Sequence, residues 1–358
     1  MPRRRVIDHW LLGAAMLTAA FGVMMVASAS APLARERYGL PEWEFAWRQG
    51  IAVVLGLGAM LAATFAPLEK LTSWKISLPL LLLTWMGLAA AYLQAPISNT
   101  HRWLSLPVGS VQPSALAKVI LPLALASWLA RCRRLHTDEK LTFRVAFALV
   151  GVTVLLVLLE PDLGSAMLLA AGALAIMWLA EVPVKPLLWV GLGAAVLFAG
   201  AVALKPYRLE RIRTFLGSTS FQVQQSLIAL GGGGVLGRGP GKSLQKLFFL
   251  PQPHSDFIFA IVGEELGFVG TTGVLLLLGT IAVAGLKAAW RASSYGAGLL
   301  AAGLATTLAA QALLNVSVCL KLLPAKGLPL PLISAGGSDV VVTLLGIGLL
   351  LNVGKEAA

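Results

Sequence analysis

Ten stretches of the chain are each apolar and long enough to cross a lipid bilayer, a task that takes about 20 mainly apolar residues. They cover residues 10–30, 49–66, 76–94, 114–131, 143–159, 165–182, 187–204, 257–286, 294–319 and 339–354. No other feature narrows the fold as much, because backbone inside hydrocarbon has no water to bond and must satisfy its own N–H and C=O groups. Helices do this segment by segment. The chain is therefore predicted to be an all-α polytopic membrane protein of about ten transmembrane helices, forming one domain over 1–358. A long extracytoplasmic loop, about 205–256, is expected between helices 7 and 8. The segment 257–286 carries Glu264 and Glu265 and is long enough to begin with a re-entrant or interfacial turn.

Composition supports the membrane reading: 58% of the 358 residues are hydrophobic and 12% charged, with a mean hydropathy of +0.83, far from the balance of a soluble domain. The net charge of +12 would suit a nucleic-acid partner if the bases were gathered on one domain. They are scattered in short gaps between apolar segments, which excludes that class. The start, MPRRR, followed by an apolar run, has the look of a cleaved signal peptide. However, the run from Trp10 to Val26 exceeds the roughly 7–15 residues of a signal core, so it is expected to remain as the first helix.

Lys and Arg in short loops stay on the cytoplasmic side. Placing the N-terminus inside gathers Arg3, Arg4, Arg5, Arg131, Arg133 and Arg134 there and leaves the short outer loops poorer in bases. Both termini are thus expected in the cytoplasm. Loop 131–144 is the strongest cytoplasmic anchor and a place to hold anionic inner-leaflet lipids. Cys132 and Cys319 then fall at opposite faces, too far apart for a bridge.

The long outer loop is the anomaly. It holds Lys205, Arg208, Arg211, Arg213, Arg238, Lys242 and Lys246 with Glu210 alone to balance them before Asp256. Long loops escape the charge rule, so these bases are either incidental or attract an anion at the outer surface. Within the loop, GGGGVLGRGPGKSLQK at 231–246 is not a nucleotide phosphate loop, since Leu236 stands where that motif needs its first glycine. It is either a flexible link or a backbone that approaches a phosphate closely, with Arg238, Lys242 and Lys246 adding charge.

Asp256 precedes FIFAIV, a place where an aspartate commonly caps a helix. Partial desolvation at a membrane rim raises a carboxylate's pKa while nearby bases lower it, so the same group can also act as a base near neutral pH. His254 is expected to orient a neighbour or face solvent, not to bind metal, because no second His or Cys stands at ligand spacing. Ser255 is a supporting group between the two. Eight residues on, Glu264 comes under Asp256 on the same helix face while Glu265 turns away. Ionisable groups at membrane depth are costly and mark a site unless they pair for packing, with Lys118 or an arginine as partner. Glu160, in EPDLG at 160–164, closes an apolar span and could hold an arginine or a cation, although turn chemistry alone explains Pro161, Asp162 and Gly164. The segment KLLPAKGLPLPLISAGGSD at 321–339 must be irregular, which membrane depth tolerates only against protein or a cavity.

Taken in order, HRW at 101, QPS at 112, EPDLGS at 160, YRLERIRTFL at 207, FQVQQSLIALGGGG at 221, LFFLPQPHSDFIFAIVGEELGFVG at 247 and LLPAKGLPLPLISAGGS at 322 resemble the SEDS family (shape, elongation, division and sporulation). Its members are ten-helix peptidoglycan polymerases of the bacterial cytoplasmic membrane. The likeness covers nearly the whole chain, and GKSLQKLFFLPQPHSDF and LLPAKGLPLPLIS lean towards the division branch over the elongation branch. The resemblance implies that Asp256 is the essential catalytic carboxylate, with Glu160 and Glu264 as supporting partners and Arg102, Lys118 and Arg208 as partners that bind substrate. The basic loop adds Arg213, Arg238 and Lys242 as substrate-binding groups. Two positions depart from the family pattern. Its Q-P-S-E has Ala115 as the last residue here, so Lys118 lacks that acid as a partner, and its S-Y-G-G-S-S reads SAGGSD, which puts Ala335 and Asp339 where the outer loop packs or meets a partner.

The implied activity is polymerisation of lipid II at the outer membrane face during division, with Asp256 as general base and basic groups, or a divalent cation such as Mg or Mn, stabilising the lipid pyrophosphate that leaves. The implied partners are a class B penicillin-binding transpeptidase and other membrane proteins of the division machinery. Alternative readings are an elongation polymerase, a lipid II flippase, since broken helices and buried carboxylates also mark transport paths, and a non-catalytic scaffold.

Overall fold

The computed structural model describes residues 7–94, 101–106, 109–183, 193, 220–324 and 327–357. Helix α1 (His9–Pro32) runs on through one π-helical turn, Leu33–Arg37, and is followed by α2 (Glu44–Phe65), the short α3 (Leu68–Leu71) and α4 (Trp74–Leu93). A hairpin of β1 (Leu104–Leu106) and β2 (Gly109–Val111) leads into α5 (Pro113–Leu135), α6 (Glu139–Leu159) and α7 (Leu163–Leu179). Then come α8 (Phe221–Gly233), α9 (Ile258–Trp290), α10 (Tyr295–Cys319) and α11 (Gly337–Ala357).

Among the described residues, eight helices are long and apolar enough to cross a membrane, and α7 is a shorter apolar helix of 17 residues. They overlie the predicted spans. The seventh, 187–204, lies outside the described residues apart from Gly193, as do Arg208 and Arg213 of the basic loop.

Short polar side chains start these helices. The Asp8 carboxylate accepts from the N–H groups of Trp10 and Leu11, Asp138 from that of Leu141, Asp162 from that of Ser165, and Ser294 from that of Ala297, each satisfying donors that the first turn leaves open. The most enclosed helices are α5, α10 and α11, around which α2, α4 and α6 turn Leu and Met side chains outward. Helices in lipid associate by close packing of small residues. Gly348 of α11 illustrates this, since a Cβ there would lie 2.4 Å from the Met60 carbonyl oxygen of α2. Gly22 of α1 meets the backbone of Leu332 and Ile333 in the same way, so the first helix is part of the packed core.

Three features differ from the sequence expectation. Loop 95–113 contains an antiparallel hairpin with Leu104 opposite Val111 and Leu106 opposite Gly109, whose φ of 140° suits a turn that prolines alone did not announce. The outer connection contains a 13-residue helix, α8. Helix α9 is broken at Gly267, with φ 66° and ψ −160°, well inside the element and not at its start. The break exposes backbone groups, and the glycine-rich stretch before it satisfies them. The N–H groups of Arg238 and Gly239 donate to the carbonyls of Glu264 and Glu265, and those of Phe268 and Val269 donate to the carbonyls of Gly234 and Val235.

Candidate active site

Asp256 is half-buried in the turn-rich stretch before α9. It is not the helix cap: Phe257 holds that position and makes no side-chain cap bond. The chain around Asp256 is held by its carbonyls. The oxygen of His254 accepts from Ala335 N at 2.9 Å, that of Ser255 from Ser334 Oγ at 2.5 Å, and that of Asp256 from Asn315 Nδ2 at 2.9 Å. Three consecutive carbonyls thus bind to α10 and to the irregular segment 327–335. Asn315 Nδ2 also donates to the Leu328 oxygen at 2.6 Å. Next to it, Gly327 faces the carboxylate so closely that a Cβ would lie 3.0 Å from Asp256 Oδ2.

His254 is buried against Phe45, ring centroids 5.2 Å apart, and is not exposed as the sequence allowed. Burial pushes its pKa down to about 4, so the ring is neutral and serves packing. Its carbonyl, not its imidazole, does the orienting.

The Glu264 carboxylate is taken up by the glycine loop. Its carboxylate accepts from Ser243 Oγ and from the N–H groups of Leu244 at 3.1 Å and Gln245 at 3.2 Å, and Arg238 lies 3.6 Å away. Glu265 accepts from Ser28 Oγ, from Gly241 N at 3.0 Å and from Lys246 Nζ at 2.9 Å. The glycine loop therefore does cradle anions with its backbone, but they are the protein's own carboxylates. Lys246 is buried in that pair, whereas Arg238 and Lys242 remain exposed. The loop's reach towards an external phosphate rests on those two side chains.

The EPDLG turn packs against the same irregular segment, since a Cβ on Gly164 would lie 2.7 Å from Leu328 Cγ. Arg102 braces the turn, donating to the carbonyls of Glu160 and Pro161 and standing 3.7 Å from Asp162. Glu160 itself is fully buried, and neither side-chain oxygen has a hydrogen-bond partner among the described residues. Burial first, and Asp162 second, push its pKa up to about 8 against the opposing pull of Arg102. A neutral carboxyl is the form such a place selects.

Lys118 is buried between α5, α10 and α11, where its ammonium bonds the Asp339 carboxylate and, at 2.9 Å, Gln311 Oε1. The two departures from the family pattern thus meet. The acid missing at Ala115 is matched by the acid present at 339, and Asp339 serves the interior instead of an outer contact.

The structure brings Asp256, His254 and Ser255 together, with the Glu160–Arg102 turn and the Lys118 cluster abutting the segment beneath them. Sequence reasoning missed Asn315 and Gln311. A signal was present in their spacing, because Thr307, Gln311 and Asn315 recur every four residues in an apolar helix and so line one face. Among the described residues no three His, Cys, Asp or Glu side chains converge on one point. The described donors therefore build no cage of their own for a divalent cation.

The family model FTSW_RODA_SPOVE, described as cell cycle protein, matches residues 8–358. The chain is 37% identical over 375 residues to a protein of Alcanivorax borkumensis named "Probable peptidoglycan glycosyltransferase FtsW", covering 98% of this chain and 94% of that one. It is 39% identical over 353 residues to a protein of the same name from Thioalkalivibrio sulfidiphilus, covering 94% and 86%. Among solved structures, a chain of a peptidoglycan synthase complex that coordinates polymerization and crosslinking superposes with a TM-score of 0.79 at 28% identity, covering 98% of both chains. The rod shape determining protein RodA of Thermus thermophilus superposes with a TM-score of 0.72 at 27% identity, covering 98% and 97%.

Proposed function

Because the chain belongs to the FtsW, RodA and SpoVE family of cell cycle proteins, the SEDS family, we propose that it is an integral inner-membrane peptidoglycan glycosyltransferase of the FtsW type that polymerises lipid II during cell division. The names of its relatives supply the activity class. The reading that both termini are cytoplasmic puts Asp256, the EPDLG turn and segment 327–335 at the outer face, where the lipid-linked precursor is joined.

Asp256 acts as general base. It takes the proton from the acceptor sugar's 4-hydroxyl as that oxygen attacks the anomeric carbon of the donor. The new C–O bond forms as the bond to the phosphate oxygen breaks, with inversion, and the lipid pyrophosphate leaves with the electron pair. The observation that carries this reading is the fixation of Asp256: three successive carbonyls are tied down while a glycine faces the half-buried carboxylate. A base held in place contributes about 10²–10⁴-fold, and positioning adds to it. Exposed Arg238 and Lys242, with Arg208 and Arg213, give the leaving anion positive charge, a stabilisation that is worth most where it is preorganised. Lys118 acts on the scaffold and not on substrate, because it is buried in its ion pair with Asp339, and Arg102 braces the EPDLG turn. The crosslinking partner is a class B penicillin-binding transpeptidase, in keeping with the synthase complex that this fold resembles.

The test is to incubate the purified chain with lipid II, with and without a candidate transpeptidase. Glycan strands are expected. Transbilayer movement of lipid II in proteoliposomes without any chain growth would overturn the reading.

A further inference from the structure

Lys118 is 7% exposed, deep among apolar residues, where an ammonium needs a counter-charge. Its own helix offers none one turn earlier, since that position is Ala115. We infer that Asp339 is a positioning residue of the Asp256 site, which supplies from α11 the negative charge that an acid at 115 would supply from α5. The inference deepens the proposed function, since it rests on Asp256 being the base that must be positioned.

Asp339, Lys118 and Gln311 form a closed triangle. The ammonium bonds Asp339 Oδ1 and Gln311 Oε1, and Gln311 Nε2 donates to Asp339 Oδ2 at 3.0 Å. Gln311 Nε2 also donates to the Pro329 carbonyl at 2.9 Å. One helical turn further along α10, Asn315 donates to the carbonyls of Leu328 and Asp256. The ion pair thus orients Gln311, which holds Pro329, and the adjacent Leu328 is held by Asn315, the same amide that holds the carbonyl of the base. Gln311 can hold Pro329 only while its amide is oriented, and its orientation is set by having Lys118 on its oxygen and Asp339 on its nitrogen. Removing one partner of a buried ion pair leaves a charge with no compensation. The expected response is a loosening of 327–335, the segment that carries Gly327 to the Asp256 carboxylate.

The experiment compares wild type, Asp339→Asn, Asp339→Asn with Ala115→Glu, and Lys118→Met with Asp339→Leu. It reads kcat and KM for glycan synthesis from lipid II and, independently of activity, hydrogen–deuterium exchange of peptides within 320–340. Residues 115 and 118 lie on one helix face, so the glutamate restores the charge from the other side. Asp339→Asn is expected to raise exchange over 327–335 and to lower kcat about tenfold with KM unchanged, the mark of a misplaced base. Ala115→Glu should return both towards wild type. The charge-free double variant, which leaves no orphan charge and is expected to fold, should keep the raised exchange and lowered kcat. Wild-type exchange and kcat in Asp339→Asn or in the double variant, or failure of Ala115→Glu to rescue a folded protein, would overturn the inference. If wild type makes no glycan, the function reading fails, and the exchange arm alone then decides whether Asp339 orders the segment.

Discussion

Gly267→Ala is expected to destabilise the protein more than any other glycine-to-alanine change in α9. The residue sits at φ 66°, ψ −160°, a region closed to side chains bearing a Cβ at a cost of about 1–3 kcal/mol. The added carbon would lie 2.4 Å from both Gly237 N and the Val235 carbonyl oxygen. Backbone would have to retreat by about 1 Å to reach ordinary contact, and overpacking of that kind costs roughly 1–3 kcal/mol more. The same retreat opens the bonds of Arg238 N, Gly239 N, Phe268 N and Val269 N across the break, each worth about 0.5–1.5 kcal/mol. The low end of every contribution together comes to about 4 kcal/mol. Gly273 and Gly279 of the same helix are the controls, because a Cβ there meets nothing within 4 Å and alanine favours helix by up to about 1 kcal/mol. Thermal unfolding in detergent, followed by tryptophan fluorescence, reads all three. A Gly267→Ala protein that melts with the controls would refute the claim that the glycine loop and the broken helix hold each other.

Two further outcomes follow from the geometry of the site. Gly327→Ala puts a Cβ 3.0 Å from Asp256 Oδ2 and 3.6 Å from its Cγ, which should displace the carboxylate by a few tenths of an ångström and lower the glycan synthesis rate about 3–10-fold, with the melting temperature unchanged; an unaltered initial rate would detach Gly327 from the site. Glu160 stays protonated in the fold up to about pH 8, whereas its ordinary value is 4.5. The folded state therefore holds the extra proton, and stability falls between pH 4.5 and 8 by at most about 1.4 kcal/mol per unit before levelling off. Glu160→Gln should match wild type near pH 4.5 and melt higher at pH 8; equal melting temperatures at both would show that the carboxyl is ionised in the fold.

The spans were legible because hydropathy alone decides them, whereas the sequence offered Asp256 both as a helix cap and as a base, and the cap position belongs to Phe257. Glu264 was harder to read. Helical spacing placed it under Asp256, but its carboxylate is taken by Ser243 and the N–H groups of Leu244 and Gln245 from a loop some twenty residues upstream, which no local pattern encodes. The glycine run was recognised as an anion cradle without any means of knowing that Glu264 and Glu265 were its anions. Lys118 and Asp339 stand 221 residues apart, so each was noticed alone, one as a base without its acid and the other as an acid out of place. The hairpin at 104–111 escaped because Pro107 pointed only to an interruption, while the alternation of Leu104, Ser105 and Leu106 is too short to announce a strand.

Glycan synthesis by this chain depends on the carboxylate of Asp256. Asp256→Asn keeps the size of the side chain and the carbonyl bonded by Asn315 while removing the base. Single-turnover glycan synthesis from lipid II by this variant, beside its melting temperature, is the most direct measurement. The expected result is a rate lowered by about 10²–10⁴ in a protein that melts with wild type. A folded Asp256→Asn protein that elongates glycan at the wild-type rate would contradict it.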